Sequence, residues 1–324
     1  MDDVARQAGV SMMTVSRAIR EPAKVAPATR ARVTAAIAKL GYVPNLTAGS
    51  LASQRSGIIA AIVPTIDNSI FAETMRGLTS TLTAAGYQVL LGQTAYDENA
   101  EEALVAAFLG RRVDGMVVTG VKHSALTRKR LITAGIPVVE TWDLTANPID
   151  MVVGFSNRDA GRAIARYLLE KGYLRLGFAG GADDRTGSRL AGFEAAIRRV
   201  KGASLTRAVL PAGTSFRGGR EALGLLLAQD PGLQAVFCSN DAIAVGALME
   251  CRRRGIEVPR DLAIAGFADL DIAAEVEPAL TSVQVRSRTI GEEAANMLLA
   301  RLRGEPLMAT VRDLGFTVVP RSSA

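Results

Sequence analysis

Apolar positions recur at two different periods along this chain. In the first 45 residues they follow short helical spacings: Val4 and Ala8, then Val10, Val15 and Ile19, then Val33, Ile37 and Leu40. This pattern predicts three short helices, two of them divided by Gly9 and a third over 28–40 that stops before Gly41. From Gly57 onward, strand-like runs alternate with amphipathic stretches: Ile58–Val63, then Phe71, Met75, Leu78 and Leu82, then 89–91, 104–109, 115–118 and 136–139. A second series starts near Val152, with strands at 174–179, 206–210, Ala235–Cys238 and 262–265. Such alternation predicts parallel sheets covered by helices on both faces, here as two doubly wound lobes. Thr281–Val285, a helix over Ser287–Arg303 and Phe316–Val319 are expected to cross back between them. The expected division is an all-α head at 1–44 and a linker or hinge at 45–56. An α/β body follows, with one lobe at 57–154 plus 284–314 and the other at 155–283 plus 315–324.

A length of 324 residues fits this multi-domain layout. No apolar run approaches the roughly 18 to 20 residues that span a bilayer. The N-terminus, Met1-Asp2-Asp3-Val4, is acidic where a secretion signal would be basic, so a cytoplasmic protein without membrane contact is expected. Two cysteines, Cys238 and Cys251, and one histidine are too few for a disulfide framework or a zinc site, and no metal or cofactor is expected. Charge sharpens the division: residues 1–56 carry eight bases against three acids, so nearly all of the net +6 lies in the first sixth of the chain. A basic head on a neutral body suits a polyanion partner, although a solvated basic face would look the same.

The head reads as a helix-turn-helix. Gly9 can take the left-handed conformation that ends the first helix, and Ser11 can cap the second. Met12, Met13, Thr14, Ser16 and Arg17 then line the exposed face of the second helix. There Thr14, Ser16 and Arg17 could meet phosphates or base edges, with Arg17 matched to guanine O6/N7. Met12 and Met13 could make only apolar contacts, such as with thymine methyls, or be incidental surface residues.

Asp3-Val4-Ala5, Ala8-Gly9-Val10-Ser11, Thr14-Val15-Ser16-Arg17 and Gly41-Tyr42-Val43-Pro44-Asn45 together resemble the head of the lactose and purine repressor (LacI) family. The resemblance implies double-stranded operator DNA as partner, in pseudo-palindromic half-sites met by a homodimer. It also implies a hinge helix from Asn45 to Ser53, with Asn45 and Ala48 at the DNA and Leu51 as the minor-groove wedge. Unstacking a base step in this way costs a few kcal/mol. Gly49 costs about 1 kcal/mol relative to alanine in so short a helix, so the hinge is expected to order only on DNA. Two features depart from the family pattern. Met1 directly precedes Asp-Val-Ala, so either the usual capping threonine is missing or the true start lies upstream. Ala26-Pro27 stands where a serine would cap the third helix.

Ligands of doubly wound sheets bind beyond the carboxyl ends of the strands. The loops there contain Ser69, Phe71, His123, Trp142, Asp143, Arg185, Arg189, Asn240, Asp241 and Asp269, a set suited to a polyhydroxylated molecule. Trp142 could equally be core, His123 a loop hydrogen-bonder, and Asp241 a helix cap or loop organiser. By resemblance, Ser188 to Phe193 and Ser239 to Ala247 are the effector-arginine and effector-asparagine segments, carrying Arg189 and Asn240. Ala268 stands where family members that bind neutral sugars place an aspartate. The segments at 140–145 and 148–157 resemble gluconate-utilisation repressors of the family, so a sugar acid such as gluconate is the effector implied. Arg189, with Arg185 as second choice, would pair with its carboxylate.

GxGxxG, GxxxxGK[ST], GxSxG and HExxH motifs are all absent, which disfavours an enzyme. An effector-independent DNA-binding protein, or a regulator working by corepression, would use the same head. By resemblance, effector binding is expected to release DNA.

Overall fold

The computed structural model describes residues 1–43, 55–66, 69–211 and 215–324, without the side chains of Arg20 and Ser69. The hinge expected at 45–53, with Asn45, Ala48 and Leu51, lies outside the described residues. Two compact units are present, Met1–Ser56 and Gly57–Ala324.

The first unit holds α1 (Asp2–Ala8), α2 (Met12–Arg20) and α3 (Pro27–Leu40). No side chain caps α1, but Asp2 and Asp3 sit at its positive end and both pair with Arg6. Gly9 ends the helix at φ 63, a conformation that would strain a residue with a Cβ. Ser11 caps α2 by accepting a hydrogen bond from the Thr14 amide at 3.2 Å, as its position predicts. At α3, Ala26 provides no side-chain cap, and Pro27 in the first turn supplies a preset φ instead. Val4, Ala8, Val15, Val33 and Ala36 form the small core, with Val10, Ile19 and Ile37 against it. Leu40 is a correction: it is exposed, and the buried positions of α3 are Val33 and Ala36.

The second unit contains two six-stranded sheets. The first, in order β11-β5-β4-β3-β1-β2, is wholly parallel: β1 is Ile58–Val63, β2 Gln88–Gln93, β3 Gly115–Thr119, β4 Val138–Thr141, β5 Met151–Gly154 and β11 Val311–Asp313. The second has the order β12-β10-β9-β8-β6-β7, with β6 Arg175–Gly181, β7 Ser204–Leu210, β8 Ala235–Cys238, β9 Ala263–Ala268, β10 Thr281–Val285 and β12 Phe316–Val319. Its β12 runs antiparallel to β10. The strand at Val152, read both as the start of the second series and as part of the lobe at 57–154, is β5, hydrogen-bonded to β4 in the first sheet.

Helices cover both sheets: α4 (Ala72–Ala84), α5 (Glu98–Gly110), α6 (Ala125–Ala134), α7 (Asn157–Glu170), α8 (Asp184–Ile197), α9 (Phe216–Gln229), α10 (Asp241–Arg254), α11 (Asp271–Glu275) and α12 (Ser287–Arg303). Three helix pairs meet through reciprocal glycines. A Cβ on Gly161 of α7 would lie 2.0 Å from the Arg189 carbonyl oxygen, and one on Gly192 of α8 would lie 1.8 Å from that of Arg158. Gly219 with Gly246 joins α9 to α10, and Gly77 with Gly291 joins α4 to α12, at 1.9–2.3 Å in the same sense. In each pair the backbones themselves touch, at a distance that no side chain permits.

The chain passes three times from one sheet to the other: between β5 and α7, between β10 and α12, and between β11 and β12. Along the first crossing Phe155 packs between Trp142, 6.0 Å away, and Phe267, 5.9 Å away. Among the described residues no helix is long and apolar enough to cross a membrane.

Candidate functional site

On the head, the cap at Ser11 fixes which face of α2 turns outward. Val15 is fully buried, while Met12 and Met13 are 53% and 70% exposed. Arg17 is exposed, and Thr14 and Ser16 are half-buried beside it. The Thr14 hydroxyl lies 3.0 Å from that of Ser11, so it is partly occupied by the cap. Two exposed methionines give up apolar burial that a folded chain would ordinarily use, leaving flexible, polarisable groups on an otherwise polar face.

On the body, a cavity of about 650 Å³ opens between the two sheets. First-lobe residues Thr94, Tyr96, Lys122, His123 and Asp143 face second-lobe residues Phe178, Asp183, Arg185 and Thr186 across it. Asp183 caps α8, accepting from the Thr186 amide at 3.1 Å and its hydroxyl at 2.7 Å. That cap aims the first turn of α8, and with it Arg185, at the first lobe.

Arg185 is 9% exposed. Its guanidinium lies over the Phe71 ring at 5.5 Å and donates to the Tyr96 hydroxyl. Burial raises the Tyr96 phenol above its ordinary range, and Arg185 pulls it partly back. One turn further along α8, Arg189 lies deeper. It donates to the Asn157 side-chain oxygen and to the Thr186 hydroxyl, and its guanidinium stacks 4.3 Å from the centre of the Phe267 ring. Burial pushes Arg189 down to about 10, opposed first by Asp183. Its Nε has no hydrogen-bond partner among the described residues, an open donor in a buried cation.

The other expected ligand residues are placed differently. Trp142 is core: its indole donates to the Thr74 hydroxyl at 3.1 Å, and its ring meets Phe71 edge-on at 5.0 Å. Phe71 presents its face to Arg185. Asn240, not Asp241, caps α10, accepting from the Ile243 amide at 2.9 Å. Asp241 takes the organiser's role, holding the Ser282 hydroxyl at 2.6 Å and the Leu270 amide at 2.7 Å, and burial pushes its carboxyl up to about 7. Asp269 is paired with Arg321 at 2.6 Å and, with Ala268, lines a separate hollow. His123 lines the cavity, but its ring is buried between Glu101 and Glu140. The Ser69 side chain lies outside the described residues.

Tyr96 was not among the expected residues. The loop after β2 has no chemical signature in the sequence, although it too follows a strand's carboxyl end. Ala95 and Tyr96 adopt φ values of 52 and 65, uncommon for residues with a Cβ. Among the described residues no cluster of three His, Cys, Asp or Glu side chains could hold a metal. Both cysteines are free and buried, and burial raises both thiols, that of Cys251 to about 12.

Known proteins share this arrangement. Residues 1–45 match bacterial regulatory proteins of the lacI family, and residues 165–324 match the periplasmic binding protein-like domain. The HTH-type transcriptional regulator GntR of Escherichia coli (strain K12) is 37% identical over 324 residues, which cover 100% of this chain and 98% of that protein. The crystal structure of a LacI-family regulator from Silicibacter pomeroyi is 35% identical with a TM-score of 0.93, covering 99% of this chain and 98% of that one. The transcription regulator GntR from Chromobacterium violaceum is 39% identical with a TM-score of 0.79, covering 82% and 98%. The chain belongs to the LacI family of bacterial transcriptional regulators: a repressor with a helix-turn-helix DNA-binding head and a periplasmic-binding-protein-like, ligand-binding body.

Proposed function

We propose that this repressor senses a sugar acid such as gluconate in the cavity between its lobes, and that the ligand releases it from operator DNA. The observation that carries the ligand class is Arg185, a nearly buried guanidinium on the cavity wall, with Arg189 and its open Nε directly behind. A bidentate arginine–carboxylate pair in such a setting is strong and directional. Asp143 and Asp183 supply acceptors for hydroxyl groups on the remainder of the ligand. The resemblance at 140–157 and the relatives named GntR point the same way. Two chains meet the two halves of a pseudo-palindromic operator in the cytoplasm, each presenting Met12, Met13, Thr14, Ser16 and Arg17 to the major groove. Asn45, Ala48 and Leu51 follow at the minor groove.

The test is operator binding at one fixed salt concentration, with gluconate, glucose or no addition. Gluconate is expected to weaken binding and glucose to leave it unchanged. Equal effects from the two would sink the sugar-acid reading, and tighter binding with gluconate would reverse the sign to corepression.

For the head, Arg17→Ala is expected to cost about 1–3 kcal/mol of operator affinity and to relax selectivity at one base pair. A loss that is uniform across operator variants, with a salt slope lower by about one, would place Arg17 on a phosphate instead.

A further inference from the structure

His123 is the only histidine in the chain, and its side chain is 1% exposed at the rim of the cleft. Nδ1 lies 2.7 Å from Glu101 Oε1 on α5, and Nε2 lies 3.5 Å from Glu140 Oε1 on β4. Glu140 is fully buried, and its other oxygen accepts the Ile149 amide at 2.6 Å. Two buried carboxylates this close need a compensating positive charge, and an imidazolium between them supplies it. Burial alone would push the ring down; the hydrogen bond to Glu101 and the negative charges of Glu101 and Glu140 outweigh it and hold the ring at about 9, with Glu140 at ion-pair distance from Nε2 and not hydrogen-bonded to it. The neighbouring charges are Glu102 on α5, which accepts the Ser124 hydroxyl, Arg130 on α6, which donates to the Glu102 carbonyl, and Lys122 on the same segment.

The segment anchored this way also reaches the other lobe. Lys122 Nζ is 2.8 Å from Asp184 in the first turn of α8, and Gly120 faces the Arg185 guanidinium, 3.4 Å from where a Cβ would stand. The Lys122 and Asp184 side chains are 67% and 61% exposed. A pair so exposed is weak unless its backbone has been fixed beforehand.

We propose that His123 is a positioning residue rather than a ligand: clamped between Glu101 and Glu140, it fixes segment 120–124 so that Lys122 closes onto Asp184 across the effector cleft. The proposal rests on the cleft being the effector site.

A single imidazole permits a first test that needs no ligand. By NMR the ring should remain protonated through pH 8 and titrate near 9, whereas an unfolded chain gives about 6.5. The clamp therefore contributes stability that is fully present below about pH 6.5 and is lost as pH rises through the folded value. Glu140→Gln should lower the titration midpoint. An imidazole that titrates between 6 and 7 in the folded protein overturns the clamp.

The second test uses gluconate as probe. Lys122→Ala and His123→Gln are each expected to raise the dissociation constant roughly tenfold, and the double variant no further than the larger single effect. His123→Gln with Glu140→Gln restores the local charge balance and should recover most of the loss, which also guards against a misfolded single variant. Additive losses, or a silent Lys122→Ala, would show that His123 does not act through Lys122. If wild-type protein does not bind gluconate, the sugar-acid reading fails, while the ligand-free titration still decides the clamp.

Discussion

Arg189→Ala is expected to leave the repressor on its operator at gluconate concentrations that release the wild type. Three losses combine at this position. A charge-assisted pair to a carboxylate contributes about 1.5–3 kcal/mol. The Asn157 and Thr186 oxygens lose their shared donor, and the face of Phe267 loses a stacked cation worth about 0.5–2 kcal/mol. Only the first of these acts on the ligand directly and predicts a weakening of gluconate binding of roughly 10- to 150-fold, read by calorimetry; the other two are interactions within the protein and are expected to appear as lost stability. Arg185→Ala keeps this inner network and loses the cavity-wall charge, so a comparable loss of gluconate affinity with little loss of stability is expected. Arg189→Lys separates charge from geometry, because an ammonium cannot serve Asn157, Thr186 and a ligand from one planar fork. Gluconate affinity within threefold of wild type in Arg189→Ala would remove Arg189 from the site.

The largest effect on stability is expected from Gly161→Ala. The added methyl would stand 2.0 Å from the carbonyl oxygen of Arg189, so α7 and α8 must separate. Overpacking usually costs about 1–3 kcal/mol, and a clash between backbones cannot be relieved by a rotamer change, which puts this case at or above the upper end. A fall in melting temperature of roughly 6–12 °C follows for a unit of this size. Gly110→Ala is the control: it closes α5 with open space around it and should stabilise slightly or do nothing. Because the clash falls on Arg189 itself, Gly161→Ala should also weaken gluconate binding in the protein that remains folded. A melting temperature unchanged by Gly161→Ala would refute the contact.

Much of the fold could be read from pattern alone where burial is continuous. Ile58–Val63, Ala235–Cys238, Thr281–Val285 and Ser287–Arg303 were placed residue for residue, because apolar runs there end at clear polar or glycine boundaries. Helix α6 leaves no clear apolar stripe in the sequence, because Leu126 and Ile132 are exposed and only Thr127 and Leu131 are buried. At the candidate site, topology singles out loops that line the cavity, Arg185 among them, but pairings across the fold are invisible in sequence. Glu140 looks like a cleft residue in sequence and is the buried partner of His123, seventeen positions away. Asn240 and Asp241 are both good helix caps, and only the backbone decides which of two adjacent residues takes that place.

The reciprocal glycines bear on mechanics. Helices whose main chains touch cannot slide past one another, since any slip drives carbonyl into backbone. Each lobe is therefore expected to resist shear between these helices. On the proposed function, deformation is expected to concentrate in the three covalent crossings, where torsions at Phe155, Arg286 and Gly315 would turn a displacement of α8 into rotation of a lobe. The lobe acts as a lever arm, and substitutions at those three residues should alter how far it swings without altering what binds.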